Sequence, residues 1–197
     1  MTETIEQALL QAVSAERGHF RYESGHHGDL WLDLDPLFLD AARMRGWAAA
    51  LAGRAAPLGA EIVCGPLTGG AFLAQLIAAE LGLGFVHAER RMDGGAVQYC
   101  IPAPLAAAVA GRRVLVADDA INAGSALGLT LAALKRHGAV PTGIACLMTL
   151  GEAAGRIAAE HGVPLLALAA LQRGIWRPED CPLCAAGVPL MDRVPKG

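Results

Sequence analysis

Three times along this chain a short apolar run leads into a turn of small residues and then into a helix-patterned segment. The stretches are EIVCGPLTGGAFLAQLIAAELG at 61–82, RVLVADDAINAGSALGLTLAALKRHG at 113–138, and TGIACLM with EAAGRIAAEHG across 142–162. GFVHAE at 84–89 and PLLALAAL at 164–171 read as further strands. Near-continuous apolar strands alternating with helices require a parallel sheet buried on both faces, with the helices as its cover. The fold class expected is therefore α/β. In such a sheet, ligands bind where strands end and helices begin.

The rest of the chain is placed around that core. Residues from about 4 to 14 read as a short helix and DAARMRGWAAALAGRAA at 40–56 as a longer one. HFRYES and DLWLDLD alternate in polarity at period two around the turn GHHG, which predicts a hairpin. In the helix that opens near 125, Ser125 is the expected N-cap and Gly138 follows the end. Lys135, Arg136 and His137 occupy its last turn, where the helix dipole favours cations. CIPAPLAAAVAGRR at 100–113 carries no clear period.

At 197 residues the chain is long enough for one well-cored domain. Its formal charge of −3 excludes the basic field that bulk nucleic-acid binding needs. No apolar run reaches bilayer-spanning length, and MTETIEQALL lacks a cleavable-signal pattern, so a cytoplasmic protein that does not engage membranes is expected. The five cysteines, Cys64, Cys100, Cys146, Cys181 and Cys184, make no disulfide framework. Cys181 and Cys184 form a lone CxxC. It supplies half a zinc site with no second CxxC to complete it, and is read as a turn with two packed thiols.

Chemistry concentrates at 113–126, where the apolar strand runs into Asp118 and Asp119. Ala120, Ile121, Asn122, Ala123, Gly124 and Ser125 then lead into a helix start. Small side chains let backbone amides approach a ligand closely, and the helix N-terminus adds free N–H groups and about half a positive charge. That combination suits a phosphate. The carboxylates suit hydroxyls or a divalent cation. A ligand with a phosphate at one end and vicinal hydroxyls beside it is a ribose 5-phosphate.

VLVADDAINAGSA resembles the phosphoribosyl-diphosphate (PRPP) loop of type I phosphoribosyltransferases. GHFRYESGHH, CGPLTGGAFLAQLIA and CPLCAAGVPL resemble the entry strand, the pyrophosphate loop and the tail of the orotate phosphoribosyltransferase branch. The resemblance implies a parallel-sheet core at about 41–170 and a small hood from about 15–40 and 171–197, within a single domain spanning 1–197. It implies transfer of ribose 5-phosphate from PRPP to a nucleobase, with release of pyrophosphate; for orotate the product is orotidine 5-phosphate, in pyrimidine biosynthesis. By that likeness Asp118 and Asp119 contact the ribose hydroxyls, Ala120 through Ser125 cradle the 5-phosphate, and Leu67, Thr68 and Gly69 lie beneath the pyrophosphate. Glu23, Ser24, Gly25 and His26 fall in the base-binding turn. Mg2+ is the implied cofactor, carried by PRPP, with Asp118 and Asp119 as its candidate protein contacts. A homodimer is implied, with the strand-end loop of one chain near the other's site; the apolar helix around Leu67 to Leu83 is read either as part of that interface or as core packing.

The chain departs from that pattern in three places. The family's mobile loop carries basic residues, usually a lysine, but Lys135 and Lys196 lie elsewhere. The matching stretch is HAERRMDGGAVQYCIP, where Arg90 and Arg91 supply the charge and Gly94 and Gly95 the mobility. Glu23 stands where the family has a cation, and Thr149-Leu150 where it has Asp-Arg. A lost charge-assisted contact is worth about 1.5–3 kcal/mol, so local charge predicts poor use of orotate. His26 and His27 sit in the turn as base contacts or as solvated residues, and Trp31 and Trp176 are read as hood packing. Three readings stay open: an orotate enzyme, a transferase for another nucleobase, and a non-catalytic PRPP or nucleotide sensor on the same fold.

Overall fold

The computed structural model describes residues 4–22 and 25–192. In chain order the elements are α1 (Ile5–Ala12), β1 (Ser14–Arg21), β2 (His27–Asp33), α2 (Ala41–Ala55), β3 (Ile62–Pro66), α3 (Gly69–Leu81), β4 (Gly84–Asp93), β5 (Ala96–Cys100) and α4 (Ala103–Val109). There follow β6 (Arg113–Ile121), α5 (Ser125–Arg136), β7 (Val140–Leu150), α6 (Ala153–His161), β8 (Leu165–Leu171), β9 (Ile175–Trp176), α7 (Pro182–Ala185) and β10 (Met191–Asp192).

Six strands form the central sheet in the order β5-β4-β3-β6-β7-β8. All its pairings are parallel except β4 with β5. Strand alternation divides the core in two. Leu115 and Ala117 of β6 join Leu51, Leu73 and Ile77 on the face covered by α2 and α3. Val114 and Val116 join Leu127, Leu131 and Ile144 on the face covered by α5. Adjacent residues of one strand point to opposite faces, so a run such as VLVA must be apolar throughout. Cys64 and Cys146 belong to this interior, and burial pushes the Cys64 thiol up to about 12 and that of Cys146 higher still. They are packing residues, not nucleophiles.

A second sheet, β10-β1-β2-β9, joins the two ends of the chain. β1 and β2 pair antiparallel as the period-two pattern predicts. The pairing that completes the sheet lies outside any local pattern: β10 runs parallel to β1, and β9 pairs with β2.

Local chemistry sets several boundaries. Thr4 and Gln7 close a capping box on α1, each side chain accepting from the other's backbone N–H, at 3.2 Å and 3.0 Å. The Asp40 side chain accepts from the Arg43 N–H at the start of α2. The N-cap of α5 is Gly124, not Ser125, which is already helical. Gly124 has φ +78, and a Cβ there would lie 2.3 Å from Cδ1 of Ile157, so both backbone and space demand glycine. The unassigned stretch 100–113 contains α4. The expected mobile loop at 87–102 is largely two antiparallel strands, β4 and β5, joined through Gly94 and Gly95.

Candidate functional site

β6 carries Asp118 and Asp119 to its C-terminal end, where Asp118 is buried. By strand alternation Asp118 continues the face of Val114 and Val116, and Asp119 that of Leu115 and Ala117. The backbone turns back on both carboxylates: Asp119 N–H donates to Asp118 Oδ1 at 3.1 Å, and Ala120 N–H to Asp119 Oδ1 at 2.9 Å.

The predicted pyrophosphate loop arrives at the same place from β3. A Cβ on Gly69 would sit 2.1 Å from Asp119 Oδ2, and one on Gly70 would sit 2.6 Å from Asp118 Oδ1. Glycine at these two positions lets the start of α3 pack directly under the carboxylates. Leu67 and Thr68 stand exposed beside them, with the Leu67–Thr68 peptide in cis.

Burial holds the Asp118 carboxyl well above the ordinary carboxylate range, and the neighbouring Asp119 charge raises it further. Asp119 is also raised by burial, against the pull of the Ala120 N–H hydrogen bond. Two desolvated carboxylates side by side fit a divalent cation whose other ligands come from a phosphorylated substrate and water. A fully protein-built Mg2+ cage would need more oxygen donors than this pair supplies.

Beside the carboxylates opens a cavity of about 430 Å³, lined by Asp118, the loop from Ala120 to Ser125, and Tyr22, Trp31 and Ile175 from the small sheet and its flanks. Trp31 thus does more than pack: its ring stacks on Tyr22, centroids 6.2 Å apart, and borders the cavity. Asn122 Oδ1 is buried with no hydrogen-bond partner among the described residues, leaving an acceptor available at the cavity.

A second cavity of about 680 Å³ shares Asn122, Ala123, Ser125 and Ile175 with the first. His26 lines it, as do Leu150, Glu152 and three arginines, Arg156, Arg173 and Arg177. Sequence reading missed these arginines because they come from α6 and from the segment after β8, far from any motif. Arg173 is held by Tyr22, its Cζ 4.8 Å from the ring centroid, and its buried Nε has no partner among the described residues. Thr149 is buried in the sheet, whereas Leu150 reaches the cavity wall.

Other predicted residues separate. Glu23 and Ser24 lie outside the described residues. Gly25, φ +80, shapes the turn. His27 is buried on β2 and faces His19, so it is neither a base contact nor a solvated turn residue. Arg91 is engaged by Glu89 at 2.8 Å on the face that also carries His87. Arg90 continues the face of Val86 and Ala88, which is the Asp118 side, and makes no salt bridge among the described residues. Burial chiefly raises the Tyr99 hydroxyl, and the Asp118 and Arg90 charges both act on it, in opposite senses.

Comparison with known proteins agrees with this geometry. Residues 39–162 match the family described as phosphoribosyl transferase domain. The orotate phosphoribosyltransferase of Xanthomonas axonopodis pv. citri is 33% identical over 189 residues, covering 84% of this chain and 81% of that protein. The enzyme of that name from Caldanaerobacter subterraneus subsp. tengcongensis is 27% identical over 175 residues, covering 89% and 87%. Among solved structures, orotate phosphoribosyltransferase from Aeropyrum pernix superposes with TM-score 0.67 at 23% identity, covering 85% of this chain and 94% of that one. Adenine phosphoribosyltransferase from Thermoanaerobacter pseudethanolicus gives 0.68 at 17%, covering 83% and 98%. The architecture is thus shared by transferases named for different bases.

Proposed function

The chain belongs to the phosphoribosyl transferase family, and from that premise we propose that it moves ribose 5-phosphate from PRPP to an anionic pyrimidine base of the orotate type. One observation carries the reading: buried Asp118 and half-buried Asp119 end β6 side by side, backed by Gly69 and Gly70, and Asp118 lines a cavity walled by the start of α5.

Each part has a chemical task. The amides from Asn122 to Ser125, with the positive end of α5, receive the 5-phosphate. Asp118 and Asp119 accept hydrogen bonds from the ribose hydroxyls. The backbone of Leu67, Thr68 and Gly69 lies beneath the pyrophosphate, and Arg90 reaches the departing charge from β4. Asp118 and Asp119 would hold, on the protein side, an Mg2+ ion that enters with PRPP, and the ion would neutralise charge on the pyrophosphate. A base nitrogen displaces pyrophosphate at the anomeric carbon, so the protein's work is positioning and electrostatic stabilisation.

The second cavity supports the choice of base. Three guanidinium-bearing residues against one carboxylate, Glu152, suit an anionic base. They offer cations that Thr149 and Leu150 do not, and so weaken the local-charge case against orotate. The small sheet acts as a hood over both cavities within one domain, and the protein works as a homodimer. A cytoplasmic site fits its five free cysteines, and no helix of the described residues is long and apolar enough to cross a membrane.

The test is pyrophosphate release from PRPP and Mg2+ with a panel of bases. Orotate is expected to turn over with kcat/KM above about 10⁴ M⁻¹s⁻¹. Turnover confined to an uncharged base would replace the base assignment. PRPP binding without turnover on any base would mark a sensor.

A further inference from the structure

His19, on β1, and His27, on β2, are both buried and turned toward each other, with Nε2 of His19 3.1 Å from Nδ1 of His27. The C-terminal segment brings Cys181 and Cys184 to the same spot. Cys181 precedes α7 and Cys184 lies within it, so one helical turn presents both thiols to one side. Cys184 Sγ lies 3.2 Å from His27 Nδ1 and 3.7 Å from His19 Nε2, and Cys181 Sγ lies 3.4 Å from His19 Nε2. All four donor atoms fall within 4.8 Å of one another. Neither cysteine is in a disulfide.

Hydrogen bonding does not account for this convergence. His19 Nδ1 lies 2.8 Å from the Val188 carbonyl oxygen, which only accepts, so Nδ1 carries the proton. In the neutral ring the Nε2 lone pair is then free, and it points at three atoms at once, a nitrogen and two sulfurs. One lone pair cannot serve three such neighbours as hydrogen-bond acceptor. A cation at their centre uses every donor. The Val188 contact is also the outer hydrogen bond that orients a metal-ligating histidine and raises its basicity.

The spacing is that of a tetrahedral ion. With bonds of about 2.3 Å to sulfur and 2.0–2.1 Å to nitrogen, neighbouring ligand atoms of a tetrahedral Cys₂His₂ zinc centre lie roughly 3.3–3.8 Å apart. Four of the six ligand-atom distances, 3.1, 3.2, 3.4 and 3.7 Å, lie within or slightly below that range, and all six are within 4.8 Å. Two thiolates with two imidazoles in this arrangement select zinc over hard cations, which prefer oxygen.

We propose that His19, His27, Cys181 and Cys184 form a closed, structural Zn2+ site. Four protein ligands leave no position for substrate or water, so the ion is not catalytic. Its task is mechanical. It pins the β1–β2 hairpin to the C-terminal segment, continuing the β1–β10 and β2–β9 pairings. The same two segments line the cavities: Tyr22, His26 and Trp31 from the first, Arg173, Ile175 and Arg177 from the second. The isolated CxxC, read from sequence as packed thiols in a turn, is half of a site whose other half is two histidines more than 150 residues upstream.

The test uses the full chain, purified without chelator and freed of any affinity tag. Elemental analysis should find about one zinc per chain. Cys184→Ser and His27→Ala should each lose it, while Cys100→Ser keeps it. The metal-free wild-type protein, titrated with Co2+, should show intense ligand-field bands of tetrahedral cobalt and a thiolate-to-cobalt charge-transfer band, saturating at one equivalent. Full zinc content in Cys184→Ser would overturn the proposal. So would a cobalt spectrum with only weak octahedral bands, and that titration decides even if the variants fail to fold.

Discussion

Asp118 and Asp119 are the most informative residues because they cost stability where they stand. Burial raises both carboxyls, so the folded protein binds their protons more tightly than the unfolded chain does. Stability therefore falls as pH rises from the ordinary carboxylate range through the raised folded values, and the full penalty persists above them. Asp118→Asn combined with Asp119→Asn removes the charge and keeps the shape. The double variant should lose PRPP-dependent turnover yet melt about 2–4 °C higher at pH 8, the shift that ~1 kcal/mol makes in a domain of this length. The gain should shrink as pH is lowered toward 4. Thermal melts across pH check the sign, and a gain that grows on acidification contradicts it. Gly69 makes a separate case. Its missing side chain leaves room for the Asp119 carboxylate, 2.1 Å from where a Cβ would be. Gly69→Ala should displace that carboxylate and lower kcat/KM by on the order of 10²-fold while the fold persists. Circular dichroism with steady-state kinetics separates the two effects.

Among elements, the β4–β5 hairpin shows how strand geometry assigns roles to neighbouring residues. Arg90 and Arg91 are equivalent in composition and opposite in orientation. Arg91 joins Glu89 and His87, and the Glu89 carboxyl is held below its usual range chiefly by the Arg91 hydrogen bond. Arg90 lies on the Asp118 side without such a partner among the described residues. Arg90→Ala should therefore lower kcat by about 10²-fold, the scale of losing one electrostatic donor, and Arg91→Ala should stay within a few-fold of wild type. Equal losses in both would show that the hairpin rearranges when substrate binds.

At the scale of the whole molecule, α3 connects the site to an outer face. Its first residues lie under the carboxylates, and farther along Phe72 is 48% exposed and packs edge-on against Phe38, centroids 5.6 Å apart. With Met44 and Leu76 these rings border an apolar cavity of about 380 Å³, and Leu39 nearby is 86% exposed. This face suits the proposed homodimer. Phe72→Glu should weaken self-association at least ~30-fold in sedimentation, the effect of losing an aromatic anchor. A wild-type chain that stays monomeric at micromolar concentration would exclude the dimer, and an unperturbed variant would move its interface elsewhere.

The sequence by itself determined the α/β core, the hairpin, and the meeting of an acidic pair with a small-residue loop at a strand end. These depend on short-range physics: side-chain alternation along a strand, helical period, and the few residues that permit a tight turn. Even the misplaced cap, Ser125 for Gly124, was an error of one position within the right turn. Tertiary structure alone decided which charges share a cavity and which buried groups face each other. Arg156 comes from α6 and Arg173 and Arg177 from the segment around β9, and they meet only because that segment leaves the central sheet after β8 to pair with β2 beside the same opening. His19 reads as a hairpin strand residue and His27 as a base contact or solvated turn residue until the C-terminal segment folds back onto β1. No local pattern carries such a contact, because its energy is realised only when both ends of the chain are already in place.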